Sequence, residues 1–173
     1  MPNATLELLR RHVGIWEGEY THLAAADRRV LDVQVFRIRV EVFDLSPLAY
    51  RQTSHYWERD GRERELVYGG ALEGSRIVFD DGRIHGACWA VDSDALYMYF
   101  GYRSDPAVKI CEMIQLSADG RHRSRSWHWL RDGALERITL VREHRTSLAP
   151  GDWPAQHARP QLPFPSPAPG APA

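Results

Sequence analysis

Short turn signals recur along the middle of this chain: Asp60-Gly61, Glu73-Gly74, Asp81-Gly82, Ser93-Asp94, Asp105-Pro106, Asp119-Gly120 and Asp132-Gly133. They stand 8–15 residues apart, with runs rich in β-branched and aromatic residues between them. Turns at that spacing define consecutive antiparallel hairpins. The runs Val13–Leu23, Val30–Phe43 and Leu48–Glu58 precede the series and Ala134–Arg145 ends it, which makes about ten strands. A sheet of that size in unbroken hairpin order exposes two edges unless it closes on itself. The expected fold is therefore all-β, an up-and-down antiparallel barrel of about ten strands with a short N-terminal helix. A two-sheet sandwich competes, but the continuous hairpin order argues against its Greek-key crossings.

The flanks differ from the middle. Residues 1–12 read as the helix, with Thr5 as its cap and Leu6, Leu9 and Val13 near helical spacing. The barrel domain spans residues 13–146. Residues 147–173 form a Pro/Ala-rich tail, since eight of the eleven prolines lie at 150–172. Such a tail is expected to be disordered or polyproline-like.

Composition excludes several classes of function. Apolar residues make up 43%, charged residues 26%, and the net charge is −1 with both signs interleaved. No basic block marks a nucleic-acid surface, and no apolar run approaches the ~20 residues of a membrane span. No secretory leader is visible, and Cys88 and Cys111 make no metal pattern. A cytoplasmic protein with two reduced thiols is expected.

Two-residue turns also set register, and register sets which side chains face the interior. Counting from Asp119-Gly120 places Ile114 opposite Arg125, Glu112 opposite Trp127 and Ile110 opposite Trp129. Counting from Asp132-Gly133 adds Ile138 and Leu140 to that face. The upstream turns add Tyr68, Phe79 and Ile84, then Cys88 with Tyr99, Ala90 with Tyr97, and finally Thr53 and His55. The link at Ser104-Asp105-Pro106 is ambiguous: a two-residue loop puts Tyr99 beside Glu112, a three-residue loop puts Met98 there. The opposite face carries Val67, Val78, His85, Trp89, Met98, Phe100, Met113 and Val141. Its apolar part needs cover, from the N-terminal helix or from a second copy of the chain in a homodimer.

The inferred interior combines aromatic walls with a few polar groups, which suits a flat, partly polar small molecule. Glu112 sits between Ile110 and Ile114, where desolvation favours general acid or base work. Arg125 lies diagonally across the same hairpin and would instead hold it as an ion pair. The expected catalytic set is Glu112, Arg125, Tyr99 and His55. The expected ligand wall is Trp16, Tyr20, His22, Thr53, Tyr68, Tyr97, Trp127 and Trp129. Histidines 22, 55, 85 and 128 have no metal-motif spacing, and no phosphate loop or dinucleotide fingerprint occurs, so neither metal nor cofactor is expected.

Gly14-Ile15-Trp16-Glu17-Gly18-Glu19-Tyr20 resembles the Gly-x-Trp opening of the calycin superfamily, which includes lipocalins and fatty-acid-binding proteins. That resemblance implies a barrel end plugged by Trp16, with Arg142 as the arginine that stacks on it. The blocks Cys111–Ser117, Asp119–Arg123 and Trp127-His128-Trp129 are similar to an uncharacterised bacterial lipocalin-like family over most of residues 12–145. Phycobiliprotein-lyase-like proteins are more distant relatives. Nitrobindin-type haem barrels share the Gly14–Gly18 pattern and would imply His144 as the iron ligand. Phenolic acid decarboxylases offer an analogy for cofactor-free chemistry in such a barrel. The leading expectation is binding of a small hydrophobic or aromatic molecule. A cofactor-independent lyase, isomerase or cyclase is the alternative, and a haem barrel the minor one.

Overall fold

A computed structural model describes residues 3–44 and 47–171. Met1, Pro2, Pro172 and Ala173, the outermost residues of the expected helix and tail segments, lie outside the described residues. The elements in order are α1 (Ala4–Arg11), β1 (Gly14–Ala24), β2 (Val30–Val42), β3 (Tyr50–Trp57), β4 (Glu63–Glu73), β5 (Arg76–Asp80), β6 (Ile84–Ala90), β7 (Ala95–Tyr102), β8 (Val108–Leu116), β9 (His122–Arg131) and β10 (Ala134–Ser147). Each strand pairs antiparallel with its sequence neighbour, and β10 returns to β1, closing the barrel. The expected architecture is the observed one. Closure gives every strand a neighbour on both sides, although β4 meets the short β5 only over Gly70–Glu73.

Helix α1 covers one end of the barrel. Its cap is Asn3, whose Oδ1 accepts from the Leu6 amide at 3.1 Å, rather than Thr5. Thr5 is buried inside the helix and fastens it to the barrel: Oγ1 donates to the Ser75 carbonyl at 2.7 Å and accepts from the Ala90 amide at 3.0 Å. Leu8 and Leu9 drop into the core beside Trp16, which is fully buried.

The Asp119-Gly120 hairpin has the expected register, with Glu112 opposite Trp127 and Ile114 opposite Arg125. Between β7 and β8 the longer loop prevails, and Met98 lies opposite Glu112. Other turns depart from a two-residue loop, for local reasons. At Ser93-Asp94 the Asp92 carboxylate accepts from the amides of Asp94 (2.8 Å) and Ala95 (2.7 Å), so the turn begins one residue earlier. Cys88 then pairs with Met98 and Ala90 with Leu96. At Asp60-Gly61 the Glu58 amide bonds the Arg62 carbonyl at 2.8 Å, with Gly61 at φ +84°, and the loop again gains a residue. Gln52 rather than Thr53 therefore pairs with Tyr68. After Asp132-Gly133 the first pair, Arg131 with Ala134, is as expected, but a bulge between Leu135 and Arg137 shifts the rest of β10. Thr139, Val141 and Glu143 turn inward, and Leu140 is exposed instead of buried.

The tail, expected to be disordered or polyproline-like, is described as far as Ala171. Among its described residues beyond β10 the regular structure is a short 3-10 turn at Pro150–Asp152, and the chain lies along the outer wall. His157 stacks on His55, Phe164 lies under the Arg142 guanidinium, and Ser166 donates to Glu19. The main chain of Gly170 and Ala171 bonds Val30.

Candidate functional site

The barrel encloses a cavity whose inner end is formed by Leu9 and His12 at the α1 end. Its volume is about 70 Å³, and its walls are aromatic on most sides: Tyr20, Tyr50, Tyr56, Tyr68, Phe79, Phe100, Tyr102 and Trp127. Glu112, Arg123 and Arg125 make one wall polar.

That polar wall is a continuous ion chain. Arg125 Nε donates to Glu112 Oε1, and its Nη1 donates to Glu143 Oε1 at 3.1 Å. Arg123 Nε donates to the other oxygen of Glu143. All four side chains are buried, so two carboxylates balance two guanidiniums where neither sign could stand alone. Burial by itself would depress Arg125, but Glu112, Tyr20 and Glu143 outweigh it and hold the guanidinium charged, well above its ordinary pKa. The Arg125 guanidinium also lies 5.1 Å from the Trp127 ring centroid. Arg123 Nη1 reaches His12 Nδ1 at 3.3 Å. Burial, then Arg123 and Arg145, push His12 well below the usual imidazole range, so Nδ1 accepts that contact in a neutral ring.

Trp16 lies beneath this chain and donates from Nε1 to the His12 carbonyl at 2.9 Å. The guanidiniums over its ring belong to Arg123 (4.5 Å) and Arg145 (4.4 Å). Arg142, the arginine implied by the lipocalin resemblance, faces outward and holds Glu19 at 2.6 Å. At the end away from α1, Thr139 accepts from Trp129 Nε1 at 2.9 Å. Its single hydroxyl proton is then free to donate to His22 Nδ1 at 2.8 Å, which assigns a neutral His22 protonated on Nε2. Burial and then Arg137 lower His22 to a pKa of about 4.

Of the residues expected at the site, Tyr20, Tyr68, Glu112, Arg125 and Trp127 line the cavity. Trp16 forms the packed layer below, and Trp129 and His22 the layer above. The other four lie outside the wall. Thr53 accepts from Arg39 at 3.3 Å, and Arg39 in turn lies over Trp153 of the tail. His55 stacks on His157, Tyr97 packs against Trp89, and Tyr99 is 43% exposed. The expected quartet of Glu112, Arg125, Tyr99 and His55 is therefore not assembled. His144 is likewise turned away from the cavity, towards Glu17 and Phe164. Glu143, Arg123, His12 and Tyr56 were missed. Arg123 was within reach, being two residues from Arg125 and so on the same face. Glu143 was hidden by the bulge.

The fold and this interior define a closed antiparallel barrel with an aromatic cavity and one buried ionic wall. No protein-family model matches the chain, and no curated protein matches it. Solved structures with similar folds include a DUF3598 protein of unknown function from Nostoc punctiforme (TM-score 0.62, 18% identity), matched over 80% of this chain and 49% of that one. The chain thus spans about half the length of that relative. The S-type phycobiliprotein lyase of Guillardia theta matches at TM-score 0.59 and 14% identity, over 80% of this chain and 90% of the lyase. The M. tuberculosis protein Rv2717c matches at TM-score 0.57 and 16% identity, over 84% and 99% of the two chains. At these identities the likeness is one of fold. Among the described residues no helix is long and apolar enough to cross a membrane.

Proposed function

We propose that the barrel interior binds a small, flat molecule with a hydrophobic or aromatic body and a polar end. The observation that carries this reading is the asymmetry of the cavity: aromatic rings on most sides and the Glu112–Arg125 pair on one. Rings such as Trp127, Tyr20 and Phe100 offer stacking and edge contacts to a planar body. The ionic wall offers donors and acceptors that fix its orientation. At about 70 Å³ the space is far below the ~300 Å³ of a drug-sized pocket, so a ligand of that size requires the lining side chains to move apart. Catalysis would have to rest on Glu112 and Arg125 without Tyr99 or His55, so binding is the better-supported reading.

Native mass spectrometry of protein purified from its own host tests this directly, by the mass of a co-purified molecule. Titration with a hydrophobic fluorescent dye, read through tryptophan emission, is the complementary measurement. The proposal expects saturable binding that Trp127→Ala weakens. If no small molecule co-purifies and the dye signal is unchanged in Trp127→Ala, the interior is a packed core and the proposal is wrong.

A further inference from the structure

On the outer wall, β3, β4 and the tail bring two imidazoles and a carboxylate together. His55 and Glu65 are register partners on adjacent strands. His157 arrives from the tail and stacks on His55, with ring centroids 3.9 Å apart and 13° between the planes. His55 Nδ1 and His157 Nε2 each stand 3.9 Å from the same oxygen, Glu65 Oε2. One atom from each residue can be chosen so that all three lie within 4.8 Å of one another.

The hydrogen bonding around His55 prepares it as a ligand. Its Nε2 lies 2.8 Å from Glu63 Oε2, and a carboxylate acceptor there places the ring proton on Nε2. Nδ1 is then a bare lone pair. It is buried with no hydrogen-bond partner, in a residue only 8% exposed, and it faces Glu65 and His157. Leaving a buried acceptor unpaired is destabilising, and a bound cation would relieve it. A carboxylate on the far nitrogen of an imidazole is also the usual support of a metal-ligating histidine.

We propose that His55, Glu65 and His157 form a site for a divalent transition metal, with zinc as the best match, that fastens the C-terminal tail to the barrel. Two imidazole nitrogens and one carboxylate oxygen suit zinc, whereas calcium and magnesium prefer oxygen alone. Glu63 and Glu65 make the surroundings negative, and the nearby Arg37 is already committed to Glu17 at 2.6 Å. Zinc bonds of about 2.0–2.1 Å put neighbouring ligand atoms roughly 3.3 Å apart. Both 3.9 Å distances to Glu65 must therefore shorten, and the ring stack must tilt to bring the two imidazole nitrogens, now within 4.8 Å, to that spacing. That movement falls on His157, which sits on a segment without regular structure. Binding at its Nε2 moves the ring proton to Nδ1, at the expense of the 3.4 Å contact with Arg37 Nη1. Arg37 retains Glu17 and the Ala158 carbonyl. A water completes the coordination.

The test is a zinc titration of the full chain against a chromophoric chelator, with limited proteolysis of the tail in parallel. One zinc per chain is expected at micromolar concentration, with His157→Ala and Glu65→Gln each weakening it at least ~10-fold. Zinc should slow cleavage of the tail in the wild type and leave it unchanged in His157→Ala. His157 lies outside the strands, so circular dichroism of that variant should match the wild type. Cobalt substitution should give the visible absorption of a tetrahedral ion. No stoichiometric zinc at micromolar concentration, or a stoichiometric site that survives His157→Ala, overturns the proposal.

Discussion

Glu143 holds Arg123 on one carboxylate oxygen and Arg125 on the other, the second contact at 3.1 Å, with all three side chains buried. Removing that carboxylate leaves Arg123 with its contacts to His12 and the Trp16 ring, in surroundings that cannot solvate it. Breaking a buried pair from one side costs about 3–5 kcal/mol. Glu143→Ala should lose stability of that order in urea unfolding. A loss under ~1 kcal/mol would mean that water reaches the guanidiniums.

Gly18, two residues after Trp16, has no room for a side chain. A Cβ there would run into the Arg142 carbonyl on β10 and come within 2.9 Å of Phe36 Cζ. The β1–β10 seam that closes the barrel would have to open. Gly18→Ala should destabilise by about 1–3 kcal/mol, visible as a lowered melting temperature. Gly74→Ala serves as the comparison. Nothing lies within 4 Å of its added Cβ, so any loss reports only the positive φ of +59°.

Stability should fall on mild acidification. His22 has a folded pKa of about 4, set by burial and then Arg137, with Asp32 opposing weakly. Its unfolded value is near 6.5, so the unfolded chain binds the extra proton first. The stabilising contribution is complete above pH ~6.5 and is lost progressively towards pH ~4. Buried His12 shifts in the same direction. His22→Gln should therefore flatten the pH dependence of the urea midpoint between pH 7 and 4. An unchanged slope would show that His22 takes up its proton over the same pH range in the folded and unfolded chains, and that its burial carries no pH-dependent stability.

Position relative to the wall should decide which variants affect a ligand. Trp127→Ala removes a cavity wall and should weaken dye binding by ~10-fold or more. Tyr99→Phe changes only an outward hydroxyl and should leave affinity within experimental error. Equal effects from both would place the ligand somewhere other than the interior.

Much of this fold is legible in the sequence, because hairpin spacing and apolar alternation are local signals. The Glu112–Arg125–Trp127 wall follows from the Asp119-Gly120 turn, whose loop has the expected register. Parity was harder elsewhere. A strand has a side-chain period of two, so one extra loop residue moves every later side chain to the other face. Asp92 added that residue before β7, which sent Tyr97 and Tyr99 outside. The Glu58–Arg62 loop changed the parity between β3 and β4, so Gln52 shares the inner face with Tyr68 while Thr53 and His55 face out.

The sequence by itself determined the strand count, the hairpin order, closure as the remedy for exposed edges, and a Trp16 plug at one end. Tertiary structure decided which faces met. The bulge before Arg137 turned Glu143 inward to complete the ion chain, and barrel closure set it beside Arg123 and Arg125. The tail laid His157 on His55 across a distance that no local pattern spans. Local turn chemistry sets the number of strands. The cost of burying unpaired charges and the geometry of closure select which side chains share the interior.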